Sequence, residues 1–354
     1  MASPKVSIIW LNYNSSKTIN MVLKSLESIA NTEYPQDRYE LIVVDNGSND
    51  GSFEKIKDFL EKNVGFKRKV IKLEHNLGFT GGNNIGFKAR DKDSKYVLLL
   101  NNDAVLFQDG LKTLVEHAEN YTDVAGLQGV VLKYGTSFID IAGGFIDELL
   151  GSYGLGSGYE YPWILSKPLQ ITYADGSCAL YKVESLMKCL GNKLFIDEFF
   201  GYYDDTVLGL MMWNCGYESI MIPEPVASHA RGLTFGKKRG STSHYLGVRN
   251  RIALSLITNS RYRRLILLFA FRNSAYTIIK MGFKREAHIE ARGIYDGFKL
   301  GKRLREKEFF IDLHKALLIE IPFERIPSFF TTRGYSRKYF EEWVIRNISN
   351  LSIE

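Results

Sequence analysis

Residues 41–52 read LIVVDNGSNDGS and join a run of apolar residues to a turn of Asp, Asn, Ser and Gly. Leu41–Val44 is short and apolar and is followed by turn residues, which is typical of a buried strand. Asp45–Gly51 ends that strand, and Phe53–Leu60 then repeats apolar residues at helical spacing. The stretch therefore predicts a strand, a polar turn and a helix in succession.

The same succession recurs on both sides of this stretch. Three further buried strands are predicted at Val6–Leu11, Val70–Leu73 and Tyr96–Leu100, and helical spacing follows the first and the last of them. His75–Gly82 is predicted to be a glycine-bearing loop. Because strands and helices alternate, the sequence predicts an α/β fold with a mostly parallel central sheet flanked by helices.

Polar side chains stand where these strands end. Asn12, Asp45, Asn76 and Asp103 fall at or just past four predicted strand ends. In sheets of this kind the ligand crevice lies beyond the carboxyl ends of the strands. We therefore expect these four residues to share one ligand-binding edge.

Two of these positions have both a functional and a structural explanation. Asp45 either accepts a hydrogen bond from a nucleotide base or ribose, or belongs to a turn that bonds its own backbone. Asp103 either holds Mg²⁺ or Mn²⁺ against a substrate diphosphate, or belongs to a polar turn. His75–Gly86 is neither a P-loop, since it lacks Gly-Lys-Ser/Thr, nor a dinucleotide fingerprint.

A second acidic turn, Gly201–Asp205, lies where an aromatic segment passes into an apolar, helix-like run. Carboxylates at a helix start are stabilised by free backbone N–H groups and the helix dipole, so Asp204 and Asp205 are either a helix cap or catalytic carboxylates. His229 is likewise either a metal ligand or a hydrogen-bonded packing residue. A carboxylate that binds a metal ion, an imidazole and a carboxylate that acts as a base could therefore lie together in a single site.

The composition restricts the class of protein. The 354 residues are 45% apolar and 24% charged, which indicates a globular chain. The net charge of +6 is concentrated in Arg231–Arg305, which suits phosphate ligands or an anionic membrane surface, whereas no nucleic-acid-binding signature is present. Three cysteines without metal-site spacing predict a reducing compartment and buried thiols. Met1–Lys5 leads directly into a strand without the apolar core of a signal peptide, which predicts a cytoplasmic protein.

The second half begins with a predicted strand at Ala125–Leu132, followed by a glycine-rich hairpin or solvent loop at Gly143–Gly158. Gly232–Ser243 has few apolar residues and could close over a ligand. From Tyr245 the pattern is helical to the end, and Leu265–Met281 is too interrupted for a membrane span. That segment fits either an interfacial helix on anionic lipid or a helix packed on the catalytic domain or in a homo-oligomer.

These motifs, in this order, resemble the inverting glycosyltransferases of family 2, which have the GT-A fold. Val6–Asn14 is similar to the family's opening strand, and Val43–Ser52 is similar to its nucleotide-binding signature. Asn76–Gly86 and Leu99–Asp103 resemble the rhamnosyltransferase-like branch. Further similar segments are Phe199–Asp205, Gly216-Tyr217, Ile222-Pro223, Val226–His229 and Tyr245–Asn250.

The resemblance implies a role for each matching residue. Asp205 is implied as the general base, with Asp204 as the alternative. Asp103 is implied as a ligand of Mg²⁺ or Mn²⁺, and His229 as a second ligand or a diphosphate contact. The positions implied to bind the nucleotide or donor are Asn12, Asn14, Asp45, Gly47, Asn76, Gly81, Asn84, Asn101, Asn102, Gly176 and Arg249. Lys237, Lys238 and Arg239 are further candidates for neutralising the diphosphate, or else form a solvated basic loop.

The implied partners are a nucleotide-diphosphate sugar and a glycan or lipid-linked acceptor at the cytoplasmic face of a membrane. The predicted division is a catalytic domain over residues 1–243, with a nucleotide-binding part near 1–122 and an acceptor part near 123–243, and a helical C-terminal region over 244–354.

Two other functions compete with this one. A sugar nucleotidyltransferase would need a glycine-rich basic loop after the first strand, and Leu11–Lys17 supplies none. A non-catalytic nucleotide-sugar binder is suggested by Asn101, which stands where the family often has the first carboxylate of an acidic triplet.

Overall fold

The computed structural model describes residues 3–63, 65–231, 241–281 and 285–353. Its strands are β1 (Val6–Asn12), β2 (Tyr39–Asp45), β3 (Arg68–Lys72), β4 (Tyr96–Asn101), β5 (Ala104–Leu106), β6 (Val124–Lys133), β7 (Ile139–Ile141), β8 (Gly144–Ile146), β9 (Ser152–Gly154), β10 (Leu169–Ile171), β11 (Cys178–Lys182) and β12 (Glu218–His229). Its helices are α1 (Ile19–Ala30), α2 (Ser52–Asn63), α3 (Gly78–Ala89), α4 (Gly110–Asn120), α5 (Val183–Leu190), α6 (Asp204–Asn214), α7 (Ser241–Ile257), α8 (Arg263–Met281), α9 (Arg285–Glu306), α10 (Ile326–Thr331) and α11 (Tyr335–Leu351).

The central sheet has the order β10-β12-β6-β11-β4-β1-β2-β3, with β5 paired to β12 and β7 paired to β6. The strands from β4 to β3 are parallel, as predicted for the nucleotide-binding half, whereas β11 is antiparallel to both of its neighbours. The register pairs Asn12 with Asp45 and Leu11 with Asn101. The polar ends of three strands are therefore brought to one edge of the sheet.

Helices cover both faces of this sheet because alternate strand residues point to opposite sides. Ile8 and Trp10 pack with α1, α2 and α4, whereas Ile9 packs with α3, α5 and α6. A third apolar core joins β8, β10 and α6 to the C-terminal helices α7–α11. The predicted helical C-terminal region is thus present and shares its core with the acceptor half; the division into domains stays a prediction.

The predicted loop at His75–Gly82 is wrong from Gly78 onward, because α3 begins there. Its glycines are required by close packing. A Cβ atom at Gly82 would lie 2.4 Å from Cδ1 of Leu11, and one at Gly86 would lie 2.5 Å from Cγ2 of Ile9. Glycine, ordinarily a weak helix former, lets this helix approach β1 closely.

The prediction of buried thiols is confirmed for Cys178, which is free and buried, but is wrong for the other two cysteines. Cys189 and Cys215 form a disulfide, with Cα atoms 6.0 Å apart. The two residues lie near the ends of α5 and α6, and these helices pack together. No helix among the described residues is long and apolar enough to cross a membrane.

Candidate active site

The loop that follows β2 is built from local hydrogen bonds. Asn12 donates from Nδ2 to Oδ1 of Asp45 at 2.8 Å and to the Ser48 hydroxyl at 3.2 Å. Asn12 and Asp45 are both 0% exposed. Oδ2 of Asp45 accepts from the Ser48 N–H at 3.0 Å. In this conformation Asp45 therefore supports the loop, and its predicted contact with a base stays a prediction.

Asn14 connects the same loop to the end of β1. Its backbone has a φ of 45°, its N–H donates to the Ser48 hydroxyl at 2.9 Å, and its Oδ1 accepts from the Asn49 N–H at 3.0 Å. Asn102 donates to Oδ1 of Asn12 at 3.3 Å and is half-buried, as are Asn14 and Asn101. These three amides are the predicted donor-binding residues that reach the surface at this edge.

Two further predicted residues shape the adjoining turn. Asn76 accepts from Nδ2 of Asn46 at 3.0 Å and from the Gly78 N–H at 2.7 Å. Gly47 has a φ of +76°, and a Cβ atom there would lie 2.7 Å from the backbone of His75. Only glycine fits a left-handed position with so close a neighbour.

Asn84 and Gly81 belong to the interior of α3, and their predicted contacts with the donor stay predictions. Asn84 is buried and donates to the Phe195 carbonyl and to Asp197, while its Oδ1 accepts from the N–H groups of Leu194 and Phe195. All of its hydrogen-bonding capacity is used within the protein. Gly81 is also buried, and a Cβ atom there would lie 2.7 Å from Cβ of Leu77.

The two predicted metal ligands are in contact. Nε2 of His229, at the end of β12, lies 2.9 Å from Oδ1 of Asp103, which precedes β5. Neighbouring ligands of an octahedral cation with bonds of about 2.1 Å are themselves about 3 Å apart, so this spacing fits Mg²⁺ or Mn²⁺. Among the described residues no group of three or more His, Cys, Asp or Glu side chains is arranged to hold a metal. Two protein ligands therefore fit a cation only if a bound diphosphate completes its shell.

Asp140, on β7, orients this pair and was missed by the sequence analysis. Its Oδ2 lies 2.9 Å from Nδ1 of His229, the arrangement by which carboxylates orient metal-binding histidines. Burial alone would lower the pKa of His229, but hydrogen bonds to Asp103 and Asp140 raise it to about 9. A cation must displace that proton, so metal binding at this pair becomes more favourable as the pH rises.

Arg231 links the metal pair to the acidic turn. Its Nε donates to Oδ2 of Asp140 at 2.9 Å, and its Nη2 lies 3.6 Å from Oδ2 of Asp175. Gly176 follows Asp175, and a Cβ atom at Gly176 would lie 2.9 Å from Oδ1 of Asp205. These contacts connect Asp103 to Asp205 through neighbouring side chains. The predicted metal ligands and the predicted base therefore lie in one region.

Asp205 and Asp204 have different surroundings at the start of α6. Oδ1 of Asp205 is buried and makes no regular hydrogen bond to any described residue, although the Gly176 N–H comes close enough to affect it. Burial, followed by the charges of Asp204 and Asp175, raises the pKa of Asp205 well above its usual range. Burial also raises the pKa of Asp204 to about 7, and backbone N–H groups there oppose the shift. The unsatisfied carboxylate is therefore that of Asp205.

The backbone before these carboxylates is strained. Phe200, Tyr202 and Tyr203 have φ values of 65°, 65° and 63°, in the left-handed region that costs non-glycine residues free energy. Asn250 of α7 is fully buried and donates from Nδ2 to the carbonyls of Phe199, Gly201 and Tyr202 at 3.0, 2.8 and 2.6 Å. This side chain holds the turn in its strained conformation.

Arg249 of α7 also holds the backbone near the acidic turn. Its Nη2 donates to the carbonyls of Glu198 and Phe199 at 3.2 and 2.5 Å, on the segment that leads into the acidic turn. Its predicted contact with the donor stays a prediction. Lys237, Lys238 and Arg239, and most of the predicted closing segment, lie outside the described residues.

The sequence is matched by the model of glycosyl transferase family 2 over residues 7–190, which is more than half of the chain. The chain belongs to glycosyl transferase family 2. It is 32% identical over 124 residues to poly-beta-1,6-N-acetyl-D-glucosamine synthase of Staphylococcus epidermidis, covering 35% of this chain and 28% of that protein. It is 30% identical over 122 residues to poly(ribitol-phosphate) beta-N-acetylglucosaminyltransferase TarS of Staphylococcus aureus, covering 34% and 20%. The similarity thus spans less than a third of either relative.

Solved structures agree with this family assignment at the level of the fold. GalNAc-T7 with UDP, GalNAc and Mn²⁺ has a TM-score of 0.60 at 13% identity, covering 87% of this family 2 chain and 58% of that one. Mannosyltransferase PcManGT from Pyrobaculum calidifontis, in complex with GDP-Man and Mn²⁺, has a TM-score of 0.51 at 15% identity, covering 97% and 84%. Together with the family match, they confirm the predicted GT-A fold.

Proposed function

We propose that this chain moves a sugar from a nucleotide-diphosphate sugar to a hydroxyl group of a glycan or lipid-linked acceptor, with inversion at the anomeric carbon. Family membership supports sugar transfer. The observation that carries the mechanism is the carboxylate of Asp205, whose Oδ1 is buried without a regular hydrogen bond among the described residues, beside Gly176. An inverting displacement needs one such base and no covalent nucleophile.

In the proposed reaction Asp205 accepts the proton of the acceptor hydroxyl. The hydroxyl oxygen bonds to the anomeric carbon from one face, and the bond from that carbon to the diphosphate oxygen breaks on the other. The nucleotide diphosphate leaves with the electron pair. The raised pKa of Asp205 makes it a stronger base than an exposed carboxylate, provided that the pH keeps it ionised.

Asp103 and His229 would hold a divalent cation, Mg²⁺ or Mn²⁺, with Asp140 orienting the imidazole. When bound, such a cation supplies positive charge that stabilises the departing diphosphate. Arg231, which lies between the metal pair and Asp175, would add a fixed positive charge. The nucleotide is proposed to bind at the adjoining edge, against Asn14, Asn101 and Asn102.

The decisive experiment measures nucleotide diphosphate release from a panel of UDP-, GDP- and dTDP-sugars with Mg²⁺ or Mn²⁺. Asp205→Asn removes the base with little change in volume, and turnover is expected to fall by about 10²–10⁴-fold. Asp109→Asn is the matched control, because Asp109 is exposed and makes no side-chain cap bond to α4. Undiminished turnover in Asp205→Asn would remove Asp205 from the mechanism, and the anomeric configuration of the product tests inversion.

The donor panel should include dTDP-rhamnose, because the resemblance to the rhamnosyltransferase-like branch stays a prediction. A role on the cytoplasmic face of a membrane is part of the same proposal. The second candidate function is a non-catalytic nucleotide-sugar binder, favoured by the lack of a three-residue metal cluster among the described residues. Calorimetry that shows donor binding without metal dependence, together with no turnover on any acceptor, would favour it.

A further inference from the structure

Helix α8 presents an apolar face to solvent. Leu268 and Tyr276 are each 60% exposed, Phe271 is 53% exposed and Ile279 is 83% exposed. Their spacing places all four on one side of the helix, whereas Ile266 on the other side is buried. Single exposed apolar residues are ordinary, but four large ones on one side of a helix indicate a contact surface.

The apolar surface continues onto α9. The rings of Phe271 and Phe298 are stacked with centroids 6.0 Å apart, and Tyr295, one turn before Phe298, is exposed. Lys299 lies over the ring of Tyr295 at 4.5 Å. The two helices therefore form one surface of aromatic and aliphatic side chains with cations beside them.

The charge of the molecule is concentrated on these helices. In sequence, α8 has four Lys and Arg residues and no Asp or Glu, and α9 has six Lys and Arg residues and four Asp and Glu residues. Their net charge is thus +6 (ten cations less four anions), the same as the net charge of the whole chain. Arg264 and Arg272 are exposed on the apolar side of α8.

We propose that the α8–α9 surface lies on an anionic phospholipid bilayer, with the apolar residues at the depth of the headgroups and the cations against lipid phosphates. Apolar and aromatic residues beside Lys and Arg are the composition of interfacial helices. A second copy of the chain fits poorly, because an isologous contact would bring together two pairs of helices that each carry a net charge of +6. The inference goes beyond the proposed reaction and does not depend on it.

This surface is connected to the acidic turn by close helix packing. A Cβ atom at Gly297 of α9 would lie 2.5 Å from the carbonyl of Arg249, and one at Gly301 would lie 2.8 Å from Cβ of Leu256. Glycines thus let α9 pack directly on α7, and Asn250 of α7 holds the turn before Asp204. A bilayer under α8 and α9 would fix the orientation of this turn relative to the lipid surface.

The test is sedimentation of the full chain with vesicles, without donor or acceptor, so that its result is independent of turnover. Vesicles of phosphatidylcholine alone and with about one third phosphatidylglycerol are compared at low and high salt. Leu268→Ser with Ile279→Ser removes apolar area and keeps the charge, whereas Arg264→Gln with Arg272→Gln removes charge. The matched control is Val70→Ser with Ile345→Ser, two exposed aliphatic residues outside these helices.

We expect the wild type and the control to bind anionic vesicles, with binding weakened by high salt and by neutral lipid. The apolar variant should bind at least about tenfold more weakly, and the charge variant about fivefold more weakly per cation removed. Unchanged binding in both α8 variants would overturn the proposal, as would no binding by the wild type. A wild-type dimer in sedimentation velocity that Leu268→Ser with Ile279→Ser dissociates, without vesicle binding, would assign the surface to a second copy. Circular dichroism melting checks that each variant is folded.

Discussion

Asp205 combines two properties that a general base requires. It lies at the start of a helix, where backbone N–H groups favour a carboxylate, yet burial and two neighbouring carboxylates raise its pKa. Arg231 acts in the opposite direction and lowers that pKa. Burial first, and then the balance of these charges, decides the pH at which the proposed base is ionised.

We predict that Asp204→Asn shifts the acidic limb of the pH profile of kcat/KM to lower pH. The sign follows from electrostatics: Asp204 raises the pKa of Asp205, so its removal lowers that pKa and the base stays ionised in more acidic solution. The measurement is the pH dependence of nucleotide diphosphate release, with Asp109→Asn as control. If Asp204→Asn abolishes turnover while Asp205→Asn remains active, the base is Asp204.

Asp140 provides a second residue-scale prediction. Asp140→Asn should raise the Mn²⁺ concentration needed for half-maximal turnover by about 10–100-fold, the usual cost of removing a carboxylate that orients a metal-binding histidine. It also removes a negative charge that offsets Arg231 close to the metal pair, which adds repulsion toward the cation. Mn²⁺ titrations of turnover for the wild type, Asp140→Asn and Asp109→Asn measure the effect. An unchanged Mn²⁺ requirement in Asp140→Asn would contradict the assignment of His229 as a ligand.

At the scale of elements, α7 and the acidic turn form one unit. The turn has three left-handed non-glycine residues, each costing on the order of 1 kcal/mol or more, and it supplies few partners for its own carbonyls. The Asn250 amide and the Arg249 guanidinium satisfy those carbonyls from α7. The position of Asp204 and Asp205 therefore depends on a helix that lies about 40 residues later in the chain.

We predict that Asn250→Ala lowers kcat strongly and leaves the KM for the donor nearly unchanged. The substitution removes the hydrogen bonds that hold the acidic turn, but it does not alter the edge of the sheet where the nucleotide is proposed to bind. Stability should also fall, by about 1–3 kcal/mol, since buried carbonyls lose their donor. The matched control is Asn214→Ala, whose amide holds the Leu210 and Asp312 carbonyls at the other end of α6. Steady-state kinetics and urea unfolding of both variants separate the two effects. If kcat falls equally in both variants at equal loss of stability, Asn250 has no specific positioning role.

The sequence predicts those parts of this site that follow from the alternation of strands and helices or from the family resemblance. Strand ends such as Asn12 and Asp103 follow apolar runs, so their shared edge could be predicted from the alternation of elements. In the sequence, Asp140 stands between two isoleucines, which are buried in the structure. A carboxylate in so apolar a position was the signal that could have revealed it. Asn250 lies in the segment Tyr245–Asn250 that resembles the family, but no role was implied for it, because its partners are carbonyl groups of a distant turn. Glycine-rich α3 was missed because close packing on β1 outweighs the weak helix propensity of glycine.

At the scale of the whole molecule, the acceptor half and the C-terminal helices share one core. Phe145 of β8 contacts the rings of Phe340 and Trp343 of α11, with centroids 5.9 and 5.6 Å away, and the Ile353 N–H donates to the Pro168 carbonyl at 3.0 Å. A helical region that folded independently would not need these contacts. The core thus predicts a single cooperative unit from the acceptor half to α11.

We predict that Phe340→Ala lowers the free energy of unfolding by about 3–5 kcal/mol, the usual cost of removing a buried aromatic ring. Its ring stacks on Tyr153 at 5.0 Å in addition to contacting Phe145, so the cavity would open between α11 and the acceptor half. The matched control is Ile345→Ala on the same helix, where the side chain is exposed and the change should cost less than about 0.5 kcal/mol. Urea unfolding followed by far-UV circular dichroism and by tryptophan fluorescence gives the measurement, because Trp343 lies in α11 and Trp213 in α6. Coincident transitions that shift together in Phe340→Ala are expected, since one core connects the two regions. Two separate transitions, of which Phe340→Ala shifts only one, would mean that α11 unfolds as an independent unit.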